Sequence, residues 1–123
     1  MSNSSKNILI VEDEKLLREA YEVILSSQGH KVRSAQNGID GLKKLKEEKP
    51  DIVLLDIFMP LMDGREFLRN FNAAEYPLTK IFVLSNVSNK ETEQEVLANG
   101  AKLFLLKAEL SPLDLVRVVE EAA

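Results

Sequence analysis

Acidic side chains stand directly after two of the most apolar segments of the chain. Glu12 and Asp13 follow the first such segment, and Asp56 follows the third, while Ser85 and Lys107 follow the fourth and fifth. Three carboxylates brought together in a partly desolvated cleft would repel one another, and a hard divalent cation such as Mg²⁺ would relieve that repulsion. Beside such a cation, one carboxylate can act as a nucleophile toward phosphorus, while a lysine and a hydroxyl stabilise the phosphoryl oxygens.

Asp56 is the best candidate for that nucleophile. It follows Ile52–Leu55, which is apolar at every position, so its carboxylate would be costly there without a partner. The loop that follows contains Pro60 and Gly64, which favour a rigid turn able to hold a backbone carbonyl toward a metal.

Five short apolar segments are predicted to be strands: Ile8–Val11, Val32–Ala35, Asp51–Leu55, Ile81–Leu84 and Lys102–Leu106. The first, third and fourth are apolar without alternation, which is typical of strands buried on both faces of a parallel sheet. The second and fifth have charged residues in or beside them, namely Lys31, Arg33 and Lys102, and are predicted nearer the sheet edges.

Helical patterns separate the strands. The first helix is predicted from Glu14 to Gln28, before Gly29. The later helices are predicted from their start signals: Asn37 as a cap, Gly64 before a short helix, Ser88 with Glu91 as a capping box, and Ser111 with Pro112 and Asp114.

Strands that alternate with helices five times predict an α/β fold, with a parallel sheet covered on both faces and right-handed connections. Ligands of such folds bind outside the carboxyl ends of the strands, where the polar residues above are placed. The length of 123 residues suits one domain. We predict a flexible tail over residues 1–7 and a single domain over residues 8–123.

Composition excludes several classes of function. The chain has no cysteine, which rules out disulfides, thiol catalysis and thiolate-bound metals, and its net charge of −4 gives no general attraction for nucleic acid. No apolar stretch is long enough for a signal peptide core or a membrane span, so we expect a soluble, cytoplasmic protein with no membrane partner. His30 is expected to be solvated, and the charges from Lys43 to Lys49 to form a solvated helix face of mixed sign.

The chain resembles the receiver domain of two-component response regulators over nearly its whole length. The matching motifs are Ile8-Leu9-Ile10-Val11-Glu12-Asp13-Glu14, Asp56-x-x-Met59-Pro60-x-Met62-Asp63-Gly64, Val83-Leu84-Ser85, Asn99-Gly100-Ala101 and Leu105-Leu106-Lys107. The resemblance implies a flavodoxin-like (βα)5 fold, doubly wound, with a five-stranded parallel sheet in the order 2-1-3-4-5. It also implies phosphoryl transfer to Asp56 from a sensor histidine kinase or a histidine phosphotransfer protein.

Residue by residue, the resemblance implies a metal site and a switch. Asp13 and Asp56 would bind Mg²⁺ directly, with Mn²⁺ as the alternative ion, Glu12 would act through a water, and the carbonyl of Phe58 would complete the protein ligands.

Ser85 and Lys107 would bind the phosphoryl oxygens, and Phe104 would be the switch aromatic. Movement of Ser85 toward the phosphoryl group would vacate space that Phe104 can fill. The output would be the binding of a protein partner at the face made by the fourth helix, fifth strand and fifth helix. The chain would be a monomer, with dimerisation on phosphorylation left open. Such a chain catalyses only its own phosphorylation and dephosphorylation.

Four positions depart from the family pattern and leave alternatives open. Asn86 stands where a small residue is usual, Ala108 where proline is usual, and Phe58, like Val87, is apolar where other members can orient water with a polar residue. The first alternative is a degenerate receiver that binds partners without phosphorylation. The second is a Mg²⁺-dependent phosphatase, which the absence of a second aspartate at position 58 and of a substrate-binding insertion disfavours.

Overall fold

The computed structural model describes residues 5–122. Five strands and five helices alternate along the chain: β1 Asn7–Val11, α1 Lys15–Ser27, β2 Lys31–Ala35, α2 Gly38–Glu47, β3 Ile52–Asp56, α3 Gly64–Arg69, β4 Lys80–Ser85, α4 Lys90–Ala98, β5 Leu103–Leu106 and α5 Pro112–Glu121. Short 3-10 turns at Ala73–Glu75 and Lys107–Glu109 complete the described secondary structure.

All strand pairs are parallel, and the sheet order is β2-β1-β3-β4-β5. The predicted fold class and strand order are therefore confirmed, and the two strands with charged residues lie at the edges. Ile8 of β1 pairs with Ile52 of β3, and Asp56 of β3 pairs with Leu84 of β4, so the central strands end side by side.

Two separate hydrophobic cores explain why the central strands are apolar at every position. Alternate residues of β1 and β3, Leu9 and Val53, enter one core with side chains of α2, α3 and α4. Their neighbours Ile8 and Ile52 enter the other core with side chains of α1 and α5. Each strand thus presents an apolar residue to a helix layer at every step, as a doubly covered sheet requires.

Helix caps follow the sequence with one exception. Asn37 accepts a hydrogen bond from Asp40 N at the start of α2, and Ser111 with Asp114 forms a full capping box at the start of α5. The predicted capping box of Ser88 and Glu91 is wrong. Helix α4 begins one residue later than that box requires, so Asn89 is the cap and accepts from the backbone N–H of Thr92.

At the amino end of the sheet, the structure differs from two further expectations. His30 is 6% exposed rather than solvated, because its Nδ1 accepts from Lys6 N at 3.1 Å while the ring packs near Glu120 of α5. Residues 1–4 of the predicted tail lie outside the described residues, whereas Ser5 donates to the carbonyl of Gly29 and Asn7 already belongs to β1. Over residues 5–122, no helix is both long and apolar enough to cross a bilayer.

Candidate functional site

A buried lysine bridges two acidic residues at the carboxyl edge of the sheet. Lys107 lies in the turn that follows β5, and its Nζ is 2.7 Å from Glu12 Oε1 and 3.0 Å from Asp56 Oδ1. The three side chains are 9%, 2% and 5% exposed, respectively. One ammonium therefore serves two carboxylates that are almost shielded from water.

Asp13 completes an acidic cluster with the same two carboxylates. One oxygen each from Glu12, Asp13 and Asp56 lies within 4.8 Å of the others, and Asp13 is the exposed member. Glu12 is fixed on both sides, since its backbone N–H donates to the Ala35 carbonyl at 3.0 Å and its Oε2 accepts from Glu14 N at 3.0 Å. This donor set consists only of oxygen atoms and carries excess negative charge, which fits a hard divalent cation such as Mg²⁺.

The electrostatics of the cluster reflect burial and the shortage of positive charge. Burial, reinforced by the negative charge of Glu12, raises the pKa of Asp56 to about 7, and Lys107 only partly offsets that rise. Burial alone would lower the pKa of Lys107, but its hydrogen bond to Glu12 and the charge of Asp56 outweigh burial and raise that pKa. Lys107 thus stays a cation, and the carboxylates remain incompletely neutralised.

The loop between β3 and α3 holds Asp56 in place. The backbone N–H of Gly64 donates to the carbonyl of Ile57 at 2.7 Å, which draws the start of α3 onto the end of β3. A Cβ at position 64 would lie 2.7 Å from the backbone oxygen of Asp56, so only glycine permits this approach. Asp63 caps α3 by accepting from Arg65 N and Glu66 N.

The other predicted residues lie around this cluster. Ser85 is buried at the end of β4, where its Oγ donates to the Val87 carbonyl at 2.9 Å and accepts from Val87 N at 3.1 Å. Phe104 of β5 pairs with Val83 and packs, half-buried, against the α2–α3–α4 core. The side chain of Phe58 is 52% exposed.

Sequence reasoning missed two residues beside the site. The guanidinium of Arg18 folds back from α1 and donates to the carbonyl of Glu12 at 2.8 Å. Tyr21, expected only as a core residue of α1, lies near enough to Lys107 and Asp56 for their charges to act on its pKa, which burial raises. Helical spacing places both residues on α1, but nothing in the sequence indicates that either faces the acidic loop.

Comparison with known proteins points to one family. The family model described as the response regulator receiver domain matches residues 8–120. The chain is 41% identical over 103 residues to the transcriptional regulatory protein AfsQ1 of Streptomyces coelicolor, covering 82% of this chain and 44% of AfsQ1. It is 36% identical over 114 residues to the chemotaxis protein CheY of Listeria monocytogenes, covering 92% of each. The chain therefore spans less than half the length of AfsQ1 but nine tenths of CheY.

Solved structures agree with this result. The structure of a CheY-like response regulator receiver domain protein from Methanospirillum hungatei superposes with a TM-score of 0.88 at 30% identity, covering 96% of this chain and 93% of that one. The family match spans almost the whole domain, and the acidic cluster and lysine lie where its motifs were identified. The chain is a receiver domain of the two-component response regulator family.

Proposed function

We propose that this chain is a phosphoacceptor switch that takes a phosphoryl group on Asp56 from a sensor histidine kinase or a histidine phosphotransfer protein. The observation that carries the proposal is the position of Lys107 Nζ, 2.7 Å from Glu12 and 3.0 Å from Asp56. A buried cation beside a buried carboxylate provides a partner for phosphoryl oxygens that arrive at that carboxylate. Receiver domains are signalling proteins rather than classical enzymes, and this one would catalyse only its own phosphorylation and dephosphorylation.

Receiver domains bind Mg²⁺ at an acidic pocket, and the cluster at the sheet edge fits that ion. We assign Asp13 and Asp56 as direct ligands, Glu12 as a ligand through water and Phe58 as the donor of a backbone carbonyl, with Mn²⁺ as a substitute ion. When bound, the ion supplies positive charge that offsets the carboxylates and the phosphoryl oxygens.

In the transfer, an oxygen of Asp56 attacks the phosphorus of the donor phosphohistidine. The new O–P bond forms as the P–N bond breaks, and the donor imidazole leaves with the electron pair and takes a proton from solvent. Lys107 holds one phosphoryl oxygen throughout, because its raised pKa keeps it protonated. The Glu12 carboxylate holds the ammonium in this position.

Phosphorylation would change the contacts of Ser85. Its Oγ is engaged with Val87, so donation to the phosphoryl group requires that this local turn open. Opening would free space for Phe104 to turn inward. Helix α4 is poised to follow, since only Thr92 and Val96 are buried along it. The α4–β5–α5 face would then bind a protein partner. We propose that the unphosphorylated chain is a monomer, and measurement of its molecular mass in solution before and after phosphorylation tests for dimerisation.

Asn86 and Ala108, which depart from the family pattern, lie at the site. Both are exposed and line, with Lys107, a cavity of about 310 Å³ between α1 and the loops after β4 and β5. Without the usual proline at position 108, we expect no cis bond after Lys107 and a less firmly held Lys107. No cis peptide occurs between residues 5 and 122, and two carboxylates lie 2.7 and 3.0 Å from the Lys107 ammonium. We expect Asn86 to narrow the approach to Asp56, so that small donors react more slowly than a kinase domain.

Intact mass spectrometry after incubation with Mg²⁺ and phosphoramidate, or with a phosphorylated histidine phosphotransfer domain, tests the proposal. We expect one phosphoryl group on the unaltered chain and none on Asp56→Asn or in EDTA, while Asp51→Asn, an exposed acid at the opposite end of β3, behaves as the unaltered chain. Absence of phosphorylation with every donor would overturn the proposal in favour of a phosphorylation-independent binding module. Steady turnover of a small phosphate ester would instead indicate a phosphatase.

A further inference from the structure

An open groove lies between α2 and the loop that follows β3. Its volume is about 530 Å³. Apolar side chains form most of its surface, with three charged residues: Ile39, Leu42, Met62, Lys43, Lys46 and Glu47. Ile39 is 54% exposed, so its side chain is accessible to a partner at the groove.

Leu61, next to the groove residue Met62, adopts a strained backbone conformation. Its φ is +68°, in the left-handed region that favours glycine, and its side chain is 75% exposed. A leucine in this conformation is destabilising, and burial of its side chain does not compensate. Strain retained without a packing gain is typical of positions that serve binding.

The groove is held open by close packing of α2 on the loop. Gly38 N donates to the Met62 carbonyl at 3.2 Å, and a Cβ at Gly38 would lie 2.5 Å from that oxygen. The backbone of α2 therefore lies directly against the loop, which fixes the shape of the groove before any partner binds. A preformed groove binds with less loss of entropy than a flexible one.

The lysines of α2 differ in their partners. Lys44 pairs with Asp40 and donates to the Ser34 carbonyl, but Lys43 and Lys46 are exposed and form no ion pair within residues 5–122. With Glu47, these two lysines give the groove a net positive charge in a chain of net charge −4. This local reversal complements an acidic partner, whereas the overall charge disfavours an anionic membrane.

We propose that this groove docks an amphipathic helix of a partner protein, with apolar residues seated on Ile39, Leu42 and Met62 and carboxylates beside Lys43 and Lys46. Helix-in-groove binding uses apolar anchors of this kind with charges at the rim. The inference goes beyond the phosphoacceptor function, because Asp56 is not among the residues that line the groove. We expect docking with or without phosphorylation.

A titration of the full ¹⁵N-labelled chain, followed by NMR, tests the proposal with two synthetic helical peptides of about 18 residues. One peptide carries leucines at helical spacing flanked by glutamates, and the other carries lysines in place of the glutamates. We expect saturable shifts in the groove with the glutamate peptide and at least about tenfold weaker binding of the lysine peptide.

Charge-reversal variants provide the matched control. Lys43→Glu with Lys46→Glu should weaken binding of the glutamate peptide by about tenfold or more. Lys90→Glu with Lys102→Glu, two exposed lysines outside α2, should leave the affinity for this peptide unchanged. We expect the exposed Leu61, next to the groove residue Met62, to contact the docked peptide. Leu61→Gly should therefore lower the affinity for the peptide while it raises the melting temperature by relieving the positive φ, a combination that a purely structural role would not produce.

Four results would overturn the inference: no saturable shifts, shifts confined to another face, dimerisation of the chain through the groove, or binding of anionic phosphatidylserine vesicles in preference to the peptide. Asp56→Asn should bind the peptide as the unaltered chain does. Failure of docking is therefore distinguishable from failure of phosphorylation.

Discussion

The two ends of the central strands treat acidic residues in opposite ways. At the carboxyl end, Glu12 and Asp56 are nearly buried and share the single ammonium of Lys107. At the amino end, Asp51 is exposed and accepts from Asn7 N at 2.8 Å, while Glu48 pairs with Lys31 at 2.8 Å. One end concentrates negative charge, and the other neutralises it.

The pKa values follow this division. The hydrogen bond from Lys31 lowers the pKa of Glu48, whereas burial and Glu12 raise the pKa of Asp56. The strained acid, Asp56, ends β3, whereas the relaxed acid, Glu48, follows α2 and contacts Lys31 and Asn7 at the amino ends of β2 and β1. Since the fold is stabilised by pairing acids with donors, the unrelieved charge at the carboxyl end is best explained by a ligand that binds there.

Replacing the bridging lysine should produce the largest change. Lys107→Met leaves two buried carboxylates without a cation, so we expect metal-free protein to lose about 3 kcal/mol in the free energy of unfolding, measured by urea denaturation. Millimolar Mg²⁺ should recover part of this loss, because a cation at the cluster replaces some of the missing charge.

The matched substitution at the amino end is Lys31→Met. Lys31 is 61% exposed, so its pair with Glu48 is screened by solvent and its loss should be much less destabilising. Equal losses for the two variants would contradict the contrast between the two ends of the sheet.

The next largest effect should be the change with pH in the free energy of unfolding of the metal-free protein. Because the folded-state pKa of Asp56, about 7, lies above its ordinary value, its contribution to stability is complete below about pH 4 and is lost as pH rises toward and through 7. The free energy of unfolding should fall by at most about 1.4 kcal/mol per pH unit in this window and then level. Urea denaturation in EDTA at pH 5 to 8 measures it.

Asp56→Asn should abolish most of that slope and make the metal-free protein more stable than the unaltered chain at pH 8. Glu48 gives the opposite sign, since its lowered pKa means that its contribution is lost only as pH falls below its ordinary range. If the free energy of unfolding of Asp56→Asn depended on pH as steeply as that of the unaltered chain, Asp56 would not be the acid with the raised pKa.

How far the sequence predicts these features depends on the range of the interactions. The strands could be predicted, because residues such as Ile8 and Leu9 serve two cores and leave no polar position along a strand. Their order is implied only by the resemblance to receiver domains. The acidic cluster could be predicted as well, since parallel strands end at a common edge. The bridge from Lys107 to Glu12 spans 95 positions and follows from that same geometry.

Local hydrogen-bond choices could not be predicted. The sequence does not indicate that Ser85 bonds to Val87, or that Arg18 turns back to the Glu12 carbonyl, because each side chain has several acceptors within reach. The burial of His30 depends on Lys6 and on α5 arriving from distant parts of the chain. Such features are set by tertiary packing rather than by local pattern.

The lifetime of the phosphorylated site offers a smaller effect. Phe58 is 52% exposed beside Asp56 and, like Val87, has no polar group to orient an attacking water, so we expect a long-lived phosphoaspartate. In the Phe58→Asn variant, the phosphoaspartate should hydrolyse about tenfold faster, which is equivalent to lowering the barrier by about 1.4 kcal/mol. Mass spectrometry after removal of the phosphodonor measures this decay. Leu78→Asn, an exposed apolar residue remote from the cluster, should leave the decay rate unaltered. An unchanged decay rate in Phe58→Asn would contradict the role of its apolar side chain.

The smallest effect should come from removing one charge at the amino end. Glu48→Gln keeps an acceptor for Asn7 Nδ2 but loses the ionic part of the contact with Lys31, so the melting temperature should fall slightly at low salt and not at high salt. The rate of Asp56 phosphorylation should be the same as in the unaltered chain. A changed rate would mean that the amino end transmits its charge state along β1 and β3 to the cluster. An unchanged rate with a small loss of stability would show that the relaxed end serves the fold alone.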